Sequence, residues 1–221
     1  IDKLLNDKNP YQRYIDWLSK QDQQTARNYW KEYLQGIETT SVLPIKKQSG
    51  EKIFTPGLHS FLIDKKLAGQ IQSIASDLRI TVNSFLQTCW GILLSKYNNL
   101  NDIVYGTVVS GRPAALPGVE EMVGLFINTI PMRLKLDDQC LFSQVAVQLH
   151  NDLMNSQNYD YYSLSEIQAL TPMKNNLLNH IFVLENYPLS GRVTNDEEFK
   201  IEDVDLVEET SYDLNVVVNP M

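Results

Sequence analysis

The chain has 221 residues, 43% of them hydrophobic, enough to bury one core as a compact domain or one lobe of a larger domain without disulfides or metal. Its formal net charge of −8 argues against nonspecific binding to nucleic acid and against an anionic membrane surface, because both need clustered Lys and Arg. No apolar run approaches a membrane span and no cationic start leads into an apolar run, so a cytoplasmic protein is expected.

The predicted elements alternate along the chain. Pro10 can open a first helix, with Tyr11, Tyr14, Ile15 and Leu18 at helical spacing. Asp22 suits the N-cap of a second, whose apolar face is Ala26, Tyr29, Trp30, Tyr33 and Leu34 and whose stop is Gly36. Thr39 to Phe54, with Pro44, lysines and Gly50, reads as a surface loop. Leu58 to Ile63 reads as a short strand. Asp64 then caps a helix to about Leu78, carrying Leu67, Ile71, Ile74 and Ala75 on one face. Thr81 caps another to about Tyr97, apolar over so much of its circumference that it is expected to be buried. Cys89 lies in that helix and Cys140 in a later apolar segment; both are expected to be buried thiols.

Ile103 to Val109 is a β-branched run expected to be a buried strand. Ser110 to Gly118, rich in Gly and Pro, must be an irregular loop. A helical turn over Glu120 to Leu125 leads to a strand from about Asn128 to Leu136, then a helix from about Leu141 to Asn155 and a short one over Leu164 to Leu170. Three more strands are expected at Asn179–Leu184, Phe199–Leu206 and Leu214–Val218. Acidic residues from Asp196 to Glu209 read as a solvated face. The pattern predicts an α/β fold, a mixed β-sheet with helices packed on it, and selects no function by itself.

Generic catalytic and ligand-binding motifs are scarce in the chain. There is no phosphate-binding glycine loop and no G-x-S-x-G elbow. His59, His150 and His180 are isolated, without metal-ligand spacing, and read as surface or satisfied core histidines. Glu120 and Glu121 sit at a helix start, where the dipole accounts for them. The informative stretch is Asp102 to Leu136: strand, Gly- and Pro-held loop, short apolar turn, strand. Such a loop between rigid strands is where binding groups are displayed.

Within it, GTVVSGRP (Gly106 to Pro113), LPGVEEMVG (Leu116 to Gly124) and LFINTIP (Leu125 to Pro131) resemble the central motifs of nonribosomal peptide synthetase condensation domains. ARNYWKEYLQG (Ala26 to Gly36), SQNYDYYSLSEIQ (Ser156 to Gln168), LNHIFVLENYPL (Leu178 to Leu189) and SYDLNVVV (Ser211 to Val218) resemble flanking motifs, in the family's order over nearly the whole chain. The resemblance implies a chloramphenicol-acetyltransferase-like lobe. Residues 1–221 would be the C-terminal lobe of a two-lobed, V-shaped condensation domain, without the N-terminal lobe. Its implied partners are that lobe, donor and acceptor peptidyl carrier proteins and an adjacent adenylation domain. No cofactor is expected to bind directly; the carriers deliver thioesters on phosphopantetheine arms, and the acceptor α-amine attacks the donor thioester to form an amide.

The family's HHxxxDG motif, which belongs to the other lobe, has no counterpart here, since no two histidines are adjacent. The opening residues correspond to the region just beyond that motif, and the chain alone is expected not to catalyse condensation. What this half would supply is tunnel wall and floor loop. Ser110, Gly111 and Arg112 match the floor-loop motif, and Asn128 matches the asparagine near the tunnel centre. Ser110 and Asn128 could hydrogen-bond pantetheine or a tetrahedral oxygen, or could instead satisfy buried backbone groups at a loop junction. For Arg112 a structural ion pair competes with substrate contact. An epimerisation lobe would read more like VGWFT where this chain has VGLFINT; a noncatalytic carrier-docking scaffold is the other alternative.

Overall fold

The computed structural model describes residues 10–43, 57–137, 139–185 and 210–219. Its elements follow the sequence pattern closely. Helices α1 (Pro10–Leu18), α2 (Gln23–Tyr33), α3 (Lys65–Asp77) and α4 (Val82–Asn98) precede strand β1 (Asp102–Val109). Strand β2 (Asn128–Lys135), helices α5 (Phe142–Ser156) and α6 (Leu164–Ala169) and strands β3 (His180–Leu184) and β4 (Leu214–Val218) follow. The expected caps form. The Asp22 carboxylate accepts from the Gln24 and Thr25 amides, Asp64 from Leu67 N at 2.8 Å, and the Thr81 hydroxyl from Ser84 N at 3.1 Å, satisfying amides that a helix start otherwise leaves bare.

The strands form one mixed sheet in the order β2-β1-β3-β4. β1 and β2 are antiparallel along their length, from Asp102 opposite Lys135 to Val109 opposite Asn128. β3 runs parallel to β1 and to β4. Alternation along β1 divides the core between the two faces. Ile103 and Tyr105 pack with Leu94 of α4 and with Val145 and Leu149 of α5. Val104 faces the other way, into a core with Ala26 and Trp30 of α2, Ile167 of α6, and Leu177. Trp30 is fully buried and its indole N–H donates to Tyr159 O at 3.1 Å.

β2 is an edge strand, and the edge is closed by α2. The Tyr33 hydroxyl accepts from Arg133 N at 2.8 Å, occupying an amide that faces away from β1. The Arg133 side chain, 6% exposed, donates to Tyr33 O and Gln35 O at the C-terminal end of α2 and grips Asp102 through both carboxylate oxygens at 2.8 and 2.6 Å. On the other side of β1, Ser41 Oγ accepts from Val104 N at 2.9 Å, before the pairing with β3 begins.

Several expectations are corrected. Leu58 to Ile63 forms no strand: it pairs with no neighbour among the described residues, and Leu58, Phe61 and Leu62 are exposed. An apolar run becomes a strand only when another backbone takes its hydrogen bonds. The turn expected over Glu120 to Leu125 is a 3-10 turn at Val119–Glu121, after which the chain is extended. Helix α4 is buried on an unexpected side. It turns Ser84, Gln87, Thr88, Gly91 and Ser95 inward, while Leu93 and Tyr97 stay exposed. Small residues permit the close approach: a Cβ on Gly91 would lie 2.5 Å from a Leu134 methyl. Cys89 is therefore exposed rather than buried and Cys140 is half-buried, both as free thiols. The strand expected at Phe199–Leu206 lies outside the described residues.

Candidate functional site

Because Val109 stands opposite Asn128, the β1–β2 connection starts and ends at one place, bringing Ser110 beside Asn128. Four interactions fix it. Gly111 has φ +61°, and a Cβ there would lie 1.7 Å from Phe126 O, so the outgoing limb rests on the backbone of the returning limb. The Arg112 guanidinium donates through Nη1 to Val119 O and to Met122 O, and lies 4.1 Å from the centroid of the Phe126 ring. Arg112 is thus held by carbonyls and an aromatic face; among the described residues it has no carboxylate partner, so the expected ion pair is not what holds it. Beneath, Leu116, Val119, Met122 and Phe126 bury a small core with Tyr14 of α1.

Helix α1 clamps this loop on its buried side. The Tyr11 hydroxyl donates to Leu125 O at 2.6 Å and Arg13 donates to Pro117 O at 3.2 Å. Gly124 admits the Tyr11 ring, which a Cβ would meet at 2.1 Å. In the extended returning limb, Met122 and Phe126 point inward and Val123, Leu125 and Ile127 outward, at 93%, 77% and 54% exposure. The loop therefore has a buried anchoring side and an apolar outer side.

Ser110 and Asn128 have different hydrogen-bonding capacity left. Asn128 Nδ2 donates to Asp160 O at 2.7 Å and Tyr162 O at 3.0 Å, and its Oδ1 accepts from Thr129 N at 2.9 Å. Both amide hydrogens are engaged, so Asn128 ties the 160–162 segment to β2 and has no N–H free for a developing oxyanion. Ser110 is exposed, and its oxygen accepts a long contact, 3.4 Å, from Arg112 N. Among the described residues its hydroxyl proton has no acceptor, so it can donate outward.

Asp160, which sequence reasoning did not single out, also stands here. Burial raises its carboxyl pKa to about 6. The Tyr14 phenol is raised by burial first, then by Tyr11 and by the Asp160 charge. The signal was the run of polar and aromatic residues from Asn158 to Tyr162; nothing in it marks the aspartate as half-buried.

The histidines stand apart from this loop. His59 is exposed, and His150 Nδ1 lies 2.9 Å from Ser84 Oγ between α5 and α4. His180 is fully buried in contact with Trp90, and neither ring nitrogen has a partner among the described residues, so it is a core histidine but not a satisfied one. Shallow clefts elsewhere, one lined by Asn28, Gln35 and Pro172 and one by Thr40, Asn179 and Asp213, include neither Ser110 nor Asn128. No helix among the described residues is long and apolar enough to cross a membrane.

The family model for the condensation domain matches residues 3–221. This chain belongs to the condensation domain family. It is 42% identical over 217 residues to Gramicidin S synthase 2 of Brevibacillus brevis, an alignment covering 96% of this chain and 5% of that synthase. The chain therefore spans about one-twentieth of that relative's length. Solved structures that share the fold include two nonribosomal peptide synthetase proteins. A holo four-domain nonribosomal peptide synthetase bound to AMP and glycine matches with a TM-score of 0.65 at 22% identity, over 76% of this chain and 13% of that one. The first condensation domain of the calcium-dependent antibiotic synthetase, in complex with a substrate analogue, matches with a TM-score of 0.64 at 14% identity, over 78% of this chain and 39% of that one. The mixed sheet with helices on both faces is thus a condensation-domain fold.

Proposed function

We propose that this chain is the C-terminal lobe of a condensation domain that joins carrier-bound aminoacyl or peptidyl thioesters through amide bonds in the cytoplasm. Family membership supports this reading, and the observation that carries it to particular residues is the β1–β2 loop. Gly111 and Arg112 shape it and Asn128 fixes its foot, while Ser110 is left with a hydroxyl that can donate. In the reaction the neutral acceptor α-amine adds to the donor thioester carbonyl, and the tetrahedral intermediate loses a proton from nitrogen and expels the donor's pantetheine thiolate, which leaves protonated as the thiol. The protein's task at this loop is positioning, plus a hydrogen bond to oxygen or to the pantetheine amides. Ser110 fits that donor role better than Asn128, whose amide hydrogens are both engaged.

The outward-facing Val123, Leu125 and Ile127 suit the face meeting an N-terminal lobe, with donor and acceptor carrier proteins supplying their phosphopantetheine arms from opposite ends and an adenylation domain nearby. Without the HHxxxDG motif the chain is expected to be inactive alone. The experiment supplies loaded donor and acceptor carrier proteins to the 221-residue chain, and in parallel to a two-lobed domain containing this sequence. Dipeptide from the two-lobed protein only, reduced by Ser110→Ala at unchanged melting temperature, is the expected result. Product from the chain alone, or full activity of the Ser110→Ala two-lobed protein, would overturn the corresponding assignment.

A further inference from the structure

Ser110 stands between two points at which the limbs of the β1–β2 loop touch. The first is the end of the sheet, where Val109 faces Asn128. The second is Gly111, whose left-handed backbone, φ +61°, rests against Phe126 O so closely that a Cβ would overlap it. The ladder of β1 and β2 fixes the first point, and Asn128 reinforces it through its bonds to Asp160 O and Tyr162 O. The second point is only as fixed as Phe126. Whatever holds Phe126 therefore sets where the Ser110 hydroxyl points.

Phe126 is held largely from α1. Its buried ring meets Tyr11 edge-on at 5.2 Å and Tyr14 at 4.6 Å between centroids, and the Arg112 guanidinium lies 4.1 Å from its centre. These contacts hold the ring but not the main chain. The main chain is pinned one residue earlier, where the Tyr11 hydroxyl donates to Leu125 O at 2.6 Å, a short O–H···O bond. Among the described residues no other donor reaches that carbonyl. Gly124 completes the seat, since a Cβ there would overlap the Tyr11 ring. The side chains of Val123, Leu125 and Ile127 point outward and add no anchorage. Resting on the reading of Ser110 as a hydrogen-bond donor to the reacting centre, we propose that Tyr11 is a positioning residue for amide formation. Its hydroxyl sets the 124–126 limb, that limb sets Gly111, and Gly111 sets Ser110. One hydrogen bond at a half-buried site counts for little in the stability of the whole fold. At Ser110 the same bond counts for more, because a donor to an oxygen that develops charge must already be in place.

The test measures dipeptide formation by a two-lobed domain containing this sequence, with loaded donor and acceptor carrier proteins both saturating, so that the rate read is kcat. The variants are Tyr11→Phe, which keeps the ring against Gly124 and removes only the hydroxyl, Ser110→Ala, and the two together. Tyr11→Phe should lower kcat about 10-fold, inside the roughly 100-fold that an ångström-scale misplacement can cost, with the melting temperature unchanged. In the Ser110→Ala background the same substitution should change kcat by less than about 2-fold, because no hydroxyl is left to position. A purely structural role would instead lower kcat by one common factor in both backgrounds. Tyr11→para-aminophenylalanine returns an N–H donor to the same place and should restore most of the lost rate. Full activity of Tyr11→Phe, an equal loss in both backgrounds, or no rescue by the aromatic amine overturns the role of Tyr11 and leaves the Ser110 reading standing. Full activity of Ser110→Ala overturns the two together.

Discussion

His180 makes the stability of this fold depend on pH in a calculable way. The ring is fully buried beside Trp90 and Tyr105, with neither nitrogen bonded among the described residues. Burial therefore disfavours the imidazolium and pulls the pKa from 6.5 down to about 4. An unfolded chain takes up this proton more readily than the folded one, so the stabilising effect of a neutral His180 is complete above pH 6.5 and is lost as pH falls toward 4. The loss amounts to about 2 kcal/mol at pH 5 and about 3 kcal/mol at pH 4. Phenylalanine fills a similar volume and carries no nitrogens to desolvate. In urea unfolding, His180→Phe should gain on the natural chain by those amounts as pH drops from 7.5 to 5 and then 4. The difference between the two proteins is the diagnostic quantity, because Asp160, with its raised pKa, shifts stability in the opposite sense between about pH 4 and 6 in both. A gap independent of pH would refute the reasoning and show that the ring finds a partner when charged.

Further outcomes follow from other residues. Gly111→Ala should cost about 2–5 kcal/mol, the sum of left-handed backbone strain and the overlap with Phe126 O, read as a lower melting temperature. Arg133→Met should cost about 3–5 kcal/mol in denaturant unfolding. Two carbonyls at the C-terminal end of α2 lose a charged donor, whereas Asp102, 40% exposed, recovers water. Asn128→Ala should cost about 2–4 kcal/mol by leaving Asp160 O and Tyr162 O without donors. Hydrogen exchange in the 158–163 segment should accelerate in that variant more than in the sheet. The exposed Cys89 should react with a thiol reagent in the native state, although slowly at pH 7, since partial burial raises its pKa.

Much of this architecture is local enough to be legible in the sequence. The caps Asp22, Asp64 and Thr81 act over two or three residues, and the β-branched run of β1 needs only a sheet to join. The motif order from Gly106 to Pro131 led to the family and to the loop between Ser110 and Asn128. Tertiary structure decided what each of those residues does. That Asn128 has given away both amide hydrogens while Ser110 keeps its proton depends on the 160–162 segment, distant in sequence and adjacent in space. Leu58 to Ile63 failed as a strand for the same reason in reverse: its pattern was suitable, but a strand exists only through a partner's hydrogen bonds. Cys89 and the inward side of α4 turned on close packing against Leu134, which lets small and polar residues take the buried face. Asp160 and His180 were invisible for a related reason, since desolvation is a property of surroundings that a sequence lists but does not arrange.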